Sequence, residues 1–253
     1  MPEELVMSQT TTYSEESFKD MIDAGVFYGR KKSKTNPRMK PFIFGNRNGI
    51  EIIDLTKTSV GIAHATEFVK EKVAKRHDLF LCVGIQPAAH DMKEILGEFN
   101  FPMVKRRWIG GTLTNYKTIA SRIERLKTLR SDREKGLHAK YTKKENVMLD
   151  REIARLEELV GNIENLSRLP DVLLVIDSRL HDSAVREATR MKVPIIALDS
   201  TDANPDLVDH LIVGNNTSRK SVAWFLEQIR NAVHEGKHAQ VPPIAETKEK
   251  SDN

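Results

Sequence analysis

The stretch from Lys105 to Lys117 reads KRRWIGGTLTNYK and holds residue types that suit contact with a phosphodiester backbone. Its two arginines can pair bidentately with phosphate oxygens. The adjacent glycines let the main chain approach an anion, and the helix predicted to follow offers unpaired N–H groups at its N-terminus. An exposed Trp108 could stack on a base, although a tryptophan that plugs the core is an equally good interpretation. The stretch therefore predicts an anion-binding site at the root of a helix.

Two basic segments stand out from an otherwise acidic chain. The first basic segment, residues 24–50, contains seven Lys or Arg and no Asp or Glu, and the second basic segment, residues 104–151, contains fourteen against five. The formal net charge is only +4, so the remaining residues carry an excess of acid. Charge segregated in this way predicts binding to a polyanion. Phe27 and Tyr28 lie beside the cations of the first segment, which favours RNA.

Length and composition favour one large α/β domain with an inserted segment. The chain has 253 residues, of which 39% are hydrophobic and 30% charged. Its apolar runs are shorter than the roughly 18 residues that span a bilayer. We expect no membrane association and, because the N-terminus has no apolar signal segment, a cytoplasmic protein. Cys82 lies in the apolar run LFLCVG and is expected to be a core residue of a reduced protein.

The N-terminal part combines a helix, a basic loop and a hairpin. Residues 14–25 read as a short helix that begins at a serine cap and stops at a glycine. Residues 26–40 contain a glycine and an Asn-Pro pair and are predicted to be a loop without regular structure. Residues 41–54 read as a β-hairpin whose turn is Asn48-Gly49.

Strands and helices alternate after this hairpin. Helices are predicted over residues 56–75, 87–99, 183–191 and 218–235, and the first of them is predicted to face the core with Val60, Ala63, Ala65, Phe68 and Val69. Short, wholly apolar runs suit strands that are buried on both faces, so the pattern predicts a parallel sheet covered by helices on both sides. The five predicted strands are Leu79–Val83, Phe101–Val104, Val172–Ile176, Pro194–Leu198 and His210–Val213.

The inserted segment contains two apolar seams of roughly 3.5-residue period, one on either side of a polar connection. This pattern predicts an antiparallel coiled-coil hairpin over residues 115–166, inserted into a sandwich domain of residues 14–114 and 167–238. Residues 1–13 and 239–253 are predicted to be disordered. The seams are Tyr116, Ile119, Ile123 and Leu126, and then Leu149, Ile153, Leu156, Val160 and Ile163.

Three groups of residues resemble enzyme sites and are better explained otherwise. Residues 84–88 lie where doubly wound folds bind nucleotides, but they contain neither a GxGxxG motif nor a P-loop lysine. Residues 177–182 contain Ser, His and Asp as sequence neighbours, whereas the partners of a triad meet through the fold. Residues 199–206 are rich in oxygen ligands, and turn and cap chemistry explains them at least as well as Mg²⁺. We therefore predict no catalytic residue, no metal site and no cofactor.

With these residues in view, the chain closely resembles the bacterial type of the small-subunit ribosomal protein S2 family. The matching motifs occur in order between residues 14 and 235, and their combination is highly specific. They are AGV at 24–26, NPRMKP at 36–41, IFG at 43–45, RNG at 47–49, IIDLTKT at 52–58, RWIGGTLTN at 107–115, LPD at 169–171, PDL at 205–207 and GN at 214–215.

The resemblance implies a flavodoxin-like three-layer α/β sandwich with a five-stranded parallel sheet and a protruding helical hairpin. It also implies a structural, non-catalytic ribosomal protein that binds small-subunit rRNA, lies beside other small-subunit proteins and supports the large ribosomal protein S1. No small-molecule substrate is expected. Carried over to this chain, the residues expected to face rRNA are Arg30, Lys31, Lys32, Arg38, Lys40 and Arg47 in the first basic segment and Arg106, Arg107, Trp108, Asn115, Lys117 and Arg122 in the second.

The chain departs from the family pattern at three places. Phe27 and Arg30 stand where the family commonly has two histidines, so a ligand role of those histidines is absent here. Residues 85–87, Ile-Gln-Pro, replace a usual Thr-Lys, which removes a cationic contact. Residues 216–217, Asn-Thr, replace a usual acidic pair, which weakens any cation or protein contact inferred there.

Two other function classes compete with an rRNA-binding structural protein. One is a flavodoxin-like nucleotide-binding enzyme, which saturable binding of a nucleotide would support. The other is an interaction protein that uses its coiled-coil hairpin to bind a protein partner. The first helix of the hairpin carries mostly Lys and Arg outside its seam, which disfavours the latter class.

Overall fold

A computed structural model describes residues 15–136 and 140–240 of the chain. The predicted disorder of residues 1–13 and 241–253 and the predicted cap at Ser14 fall outside these ranges. Residues 239–240, which were also assigned to the disordered tail, are the last two residues of a helix. None of the helices described has the length and apolar character needed to cross a membrane. In chain order the elements are α1 (Glu15–Asp23), β1 (Tyr28–Lys31), β2 (Ile43–Arg47), β3 (Ile50–Ile53), α2 (Leu55–Ala74), β4 (Phe80–Val83), α3 (Met92–Leu96), β5 (Met103–Val104), α4 (Tyr116–Glu134), α5 (Lys143–Val160), β6 (Val172–Ile176), α6 (Asp182–Met191), β7 (Ile195–Asp199), β8 (His210–Val213) and α7 (Arg219–Gln240).

The five predicted apolar strands form one parallel sheet in the order β5-β4-β6-β7-β8. Numbered along the chain, this is the 2-1-3-4-5 order of flavodoxin-like doubly wound folds. Every residue of β4, β6 and β7 is buried, as expected of parallel strands covered on both faces. The predicted fold class is confirmed.

Helices cover both faces of this sheet, and the alternation of side chains along β4 separates two cores. Phe80 and Cys82 join the core formed with α2, α3 and α7. Leu81 and Val83 join the core formed with α4, α5 and α6. The root of the helical hairpin therefore shares a core with the sheet, and the side-chain packing is continuous from one to the other.

The helical hairpin forms between α4 and α5, as its seams predict. Ile119, Ile123 and Leu126 of α4 are buried, and so are Ile153 and Val160 of α5. A capping box of Thr142 and Glu145 starts α5. Ion pairs also cross the hairpin, among them Arg125–Glu152, Arg130–Glu157 and Arg133–Asp150. Several cations of α4 that the sequence places outside the seam are therefore paired with acids of α5.

The first basic segment contains more regular structure than its sequence predicts. The hairpin of β2 and β3 is present, with Asn48 and Gly49 both at positive φ in its turn. The prediction of an irregular loop over residues 26–40 is wrong, because β1 pairs antiparallel with β3 and residues 32–34 and 37–42 form 3-10 turns. The free edge of β3 provides the backbone partners for β1, and local turn signals do not reveal such a partner.

Two predicted helices differ in detail. Residues 87–99 form α3 between two 3-10 turns, not one continuous helix, and the segment ends at Asn100 in the left-handed conformation. In α2, Asp54 is the cap and Ile62, Ala65, Val69 and Val73 are buried, whereas Val60, which was predicted to face the core, is 50% exposed. Sequence periodicity left two faces of α2 with similar hydrophobicity. The docking of α2 on β8 and α7 decides which of the two is buried.

Gly61 allows α2 to lie directly on β8. A Cβ atom added at Gly61 would lie 2.7 Å from the carbonyl oxygen of Leu211. We predict that Gly61→Ala lowers the free energy of unfolding by about 1–3 kcal/mol, because the backbone of β8 cannot move aside without strain. Urea denaturation followed by circular dichroism measures this.

Gly97 provides the matched control for that substitution. Its φ is −63° and no heavy atom lies within 4 Å of an added Cβ, so Gly97→Ala is expected to raise stability by about 0.4–1 kcal/mol. An equal effect of the two substitutions would show that the close approach at Gly61 does not govern the packing of α2.

Candidate nucleic-acid interface

The predicted anion site in the second basic segment is occupied by a carboxylate of the chain itself. Glu187 on α6 accepts hydrogen bonds from the backbone N–H groups of Gly111, Leu113 and Thr114, at 2.8, 3.0 and 3.2 Å. The Thr114 hydroxyl donates to the same carboxylate at 3.2 Å. The residue types that suit a phosphate therefore do bind an anion, but this anion is an internal side chain.

Trp108 belongs to the same arrangement. It is 8% exposed, and its indole Nε1 donates to Oε1 of Glu187 at 2.9 Å. Its ring packs in the core shared by the sheet and the hairpin root. The prediction that Trp108 stacks on a base gives way to its alternative, a core tryptophan, because burial and the Glu187 contact use both its ring and its N–H group.

The hydrogen bonds decide the charge state of Glu187. Partial burial alone would raise the pKa of this carboxyl, but hydrogen bonds from Trp108, Gly111, Leu113 and Thr114 outweigh burial and hold the pKa below its ordinary value of 4.5. Glu187 is therefore ionised at neutral pH. Its ionised form is the one that binds the loop before α4.

We predict that Glu187→Gln lowers the free energy of unfolding at pH 7 by about 2–3 kcal/mol, because the amide has one uncharged acceptor oxygen where the carboxylate has two, and its NH2 group would face N–H donors. A pKa lowered on folding stabilises the protein above pH 4.5 and loses this effect as the pH falls through the folded-state value. The difference between wild type and variant in urea denaturation should therefore be constant from pH 5 to 7 and shrink at lower pH.

Glu227→Gln on α7 is the control for this prediction, since Glu227 is exposed and its loss should leave stability within about 0.5 kcal/mol. A stability difference for Glu187→Gln that did not change between pH 7 and pH 3 would contradict the assignment of the ionised carboxylate.

The remaining predicted residues of the second segment lie on the surface. Arg106, Arg107, Asn115, Lys117 and Arg122 are all exposed. Arg106 pairs with the exposed Glu158 at 2.6 Å, a contact that contributes little free energy at such exposure. Within the described residues, the other three cations have no ion pair. The surface around the root of the hairpin is therefore cationic and accessible.

In the first basic segment four of the predicted cations are exposed: Lys31, Lys32, Lys40 and Arg47. Arg38 is also exposed but pairs with Asp206 and donates to Asn204. It thereby joins the first segment to the loop after β7.

Arg30 points away from solvent and into the carboxyl-terminal edge of the parallel sheet. Its guanidinium donates to the Thr217 hydroxyl at 2.7 Å and to the Asn216 side chain at 3.0 Å. It also lies 3.6 Å from a carboxylate oxygen of Asp177 and 3.5 Å from one of Asp202. Arg30 therefore joins the antiparallel sheet to loops after β6, β7 and β8. We do not retain it among the residues that face RNA.

Three aspartates make this edge of the sheet acidic. Burial is the main reason why the pKa of Asp177 is raised and that of Asp199 reaches about 7, with further contributions from their neighbouring acids. One oxygen of Asp199 accepts from the backbone N–H of Ser178 at 2.6 Å. The guanidinium of Arg30 offsets the charge of Asp177 and Asp202, and Arg179 makes a second ion pair with Asp202 at 2.7 Å.

The enzyme-like motifs have structural roles in this arrangement. Asp177 accepts from the backbone N–H of Leu180 at 3.0 Å, as a turn residue does. His181 is buried, and desolvation lowers its pKa to about 4. Gly84 lies directly after β4, and a Cβ atom added to it would lie 2.7 Å from the Cβ of Ala89. The lack of a side chain at this position therefore serves packing. No group of three His, Cys, Asp or Glu within the described residues is arranged to hold a metal ion.

We predict that Arg30→Ala lowers the free energy of unfolding by about 1–3 kcal/mol, less than for a fully buried pair because the side chain is 30% exposed. The reason is that Asp177 would lose its closest counter-charge, while Asp202 would keep only its ion pair with Arg179. Lys31→Ala at the neighbouring exposed position is the control, with an expected effect within about 0.5 kcal/mol. Equal stabilities of the two variants in urea would contradict the inward role of Arg30.

Sequence reasoning missed the three acidic residues that bind the two basic segments to the rest of the fold. Glu187 lies in the middle of α6 in a context, AVREATR, that marks it as an ordinary surface position. Asp177 and Asp202 were assigned to turns and caps. The one available signal was Arg30 itself, which stands where the family commonly has a histidine.

Comparison with known proteins agrees with this architecture. A family model described as Ribosomal protein S2 matches residues 21–236. The chain belongs to the ribosomal protein S2 family. It is 39% identical to the small ribosomal subunit protein uS2 of Pseudoalteromonas atlantica over 91% of this chain and 95% of that protein. It is 37% identical to the small ribosomal subunit protein uS2 of a Synechococcus species over 91% of this chain and 86% of that protein.

Membership of the ribosomal protein S2 family confirms the resemblance on which the sequence analysis relied. The family consists of ribosomal proteins and not of enzymes, so the prediction of a non-catalytic protein is confirmed as well. The alternative of a flavodoxin-like nucleotide-binding enzyme finds no support. The carboxyl edge of the sheet, where such an enzyme would bind its ligand, contains Arg30.

Proposed function

We propose that this protein is a structural component of the small ribosomal subunit and that it binds rRNA with two exposed groups of cations. Its site of action is then the ribosome in the cytoplasm. The observation that carries the proposal is the accessibility of cations from both basic segments on a chain of the S2 family. The proposed contacts are Lys31, Lys32, Arg38, Lys40 and Arg47 from the first segment and Arg106, Arg107, Asn115, Lys117 and Arg122 from the second.

Phosphate contacts would dominate this binding. Exposed Lys and Arg side chains position a protein on an RNA backbone without reading its sequence, and folded rRNA offers shape in place of a readable major groove. Arg30 and Trp108 contribute to the fold that presents these cations. We therefore leave these two of the predicted rRNA-facing residues out of the proposed interface.

The hairpin has a distinct part in this proposal. We treat residues 115–166 as an insertion that extends from a body made of residues 14–114 and 167–238, with the cations Lys117 and Arg122 at its root. Arg125, Arg130 and Arg133 pair with acids of α5, so the root is the better rRNA contact. Neighbouring small-subunit proteins, with S1 among them, are partners that the family resemblance implies.

We predict that Arg106→Glu with Arg107→Glu reduces incorporation into small subunits at least about ten-fold, because two phosphate contacts become repulsive. The isolated variant should keep its stability, since both side chains are exposed. Sedimentation of the tagged protein with small subunits measures incorporation, and crosslinking to RNA identifies the contact. The slope of log affinity against log salt should fall by about 2.

Arg190→Glu with Lys220→Glu is the matched control. Both residues are exposed and lie outside the basic segments, and the net charge changes by the same amount. If this control lost incorporation to the same extent, total charge and not the proposed surface would govern binding. Undiminished incorporation of the Arg106 and Arg107 variant would remove the second segment from the interface.

A further inference from the structure

The antiparallel sheet has one face that is covered and one that is open. Glu51 and Ile53 of β3 point to the covered face and are 7% and 2% exposed, and Ile53 packs with Met39 and Val213. Residues at alternate positions of a strand point to the opposite face. Ile50 and Ile52 therefore mark the open face, which carries two rows of side chains across the three strands.

The first row of the open face is apolar. It runs across the sheet from Tyr28 through Ile52 to Gly45. A register shift between Ile43 and Gly45 places Phe44 beside this row as an extra residue, and its side chain is 82% exposed. Tyr28 is 49% exposed, and its ring is supported by that of Phe27, whose centroid lies 4.1 Å away. Two aromatic rings are thus held at the surface.

The second row is cationic. It runs from Lys31 through Ile50 to Arg47, and both cations are exposed. Two residues along a strand span about 7 Å, so the cations lie about one nucleotide's length from the aromatic rings. The first basic segment contains no acid, and Glu51 points to the covered face. Within the described residues, β1, β2 and β3 contain no other acid, so neither row of the open face carries a negative charge.

We propose that this open face, formed by Tyr28, Phe44, Lys31 and Arg47, binds unpaired bases of RNA. The rings would stack on bases that are splayed out of a loop or bulge, while the two cations hold the adjacent phosphates. Exposed aromatic rings on a sheet next to cations are the chemistry by which single-stranded RNA is recognised. This inference rests on the proposed function and makes it more specific, since it adds base contacts to phosphate contacts.

Charge and geometry favour RNA over a protein partner. An apolar docking surface for a protein is depleted of lysine at its centre. Here the row that contains Lys31 and Arg47 lies directly beside the single apolar row. A duplex would satisfy the cations but leave Tyr28 and Phe44 without partners, because its bases are stacked on one another. Unpaired bases satisfy both rows.

The test uses purified full-length protein and two fluorescein-labelled probes, single-stranded oligouridine of twelve nucleotides and an RNA duplex with the same number of phosphates. We expect Tyr28→Ala with Phe44→Ala to weaken oligouridine binding at least about 25-fold, or about five-fold for each lost ring. Duplex binding should change less than about two-fold. Phe44→Ala alone changes the more exposed of the two residues, so it is not expected to affect folding, and it allows the same comparison between the two probes. Fluorescence anisotropy measures both affinities.

Two further variants make the result specific. Tyr28→Phe with Phe44→Trp keeps aromatic rings and should bind oligouridine like wild type. Met148→Ala with Leu180→Ala removes two side chains that are 61% and 57% exposed elsewhere on the protein, and it should leave both affinities unchanged. Equal losses on both probes, no loss on either, or no measurable binding of oligouridine by wild type would overturn the inference.

Incorporation into small subunits separates this inference from the function on which it rests. If wild type fails to sediment with small subunits, the proposed function fails. If wild type enters subunits and the Tyr28 and Phe44 variant enters equally well with wild-type affinity for oligouridine, only the stacking surface fails. A variant that loses incorporation but keeps its RNA affinity would identify the open face as a protein-binding surface and overturn the RNA assignment.

Discussion

The carboxylate of Glu187 holds the second basic segment in its conformation. Three backbone N–H groups, the Thr114 hydroxyl and the Trp108 indole all donate to it. These donors lie just before α4, so Glu187 of α6 acts together with the shared core to fix the place where the helical hairpin leaves the sheet. An internal carboxylate can do this because it accepts several hydrogen bonds at once and is ionised at neutral pH. A neutral side chain would leave buried donors unpaired.

A second charged contact holds the first basic segment in a similar way. Arg30 leaves β1 and reaches the aspartates and the amide at the carboxyl ends of β6, β7 and β8. In doubly wound folds this edge is where ligands bind. Here a guanidinium of the chain offsets the carboxylates of Asp177 and Asp202, and the contact fixes the antiparallel sheet against the parallel one. Arg30 and Trp108, whose residue types suggest binding to RNA when read from sequence, thus help to anchor the two basic segments to the rest of the fold.

The separation of inward and outward charges defines the surface that we propose to face RNA. Once Arg30 and Trp108 are assigned to the fold, the exposed cations that remain among the predicted residues lie in two groups, in the first basic segment and around the root of the hairpin. The pairs that α4 makes with α5 neutralise the middle of the hairpin. The proposed interface is therefore confined to the parts of the chain that the two internal contacts position. The residues that stabilise the fold and the residues that we propose to bind RNA are neighbours within the same two segments.

The sequence by itself determined the parallel sheet, the helical hairpin, the family and the location of the basic segments. The sheet, the hairpin and the basic segments follow from apolar runs, seam spacing and charge, which are local properties of the chain, and the family follows from the resemblance of its sequence motifs. Only the tertiary structure decided which cations face solvent, that Trp108 is buried, that β1 pairs with β3 and that α2 turns Val60 outward. Each of these depends on a partner distant in sequence, such as Glu187 for Trp108 or Asp202 for Arg30. Residue type and spacing identify a group that can bind an anion, but the fold decides whether that anion is a phosphate or a carboxylate of the same chain.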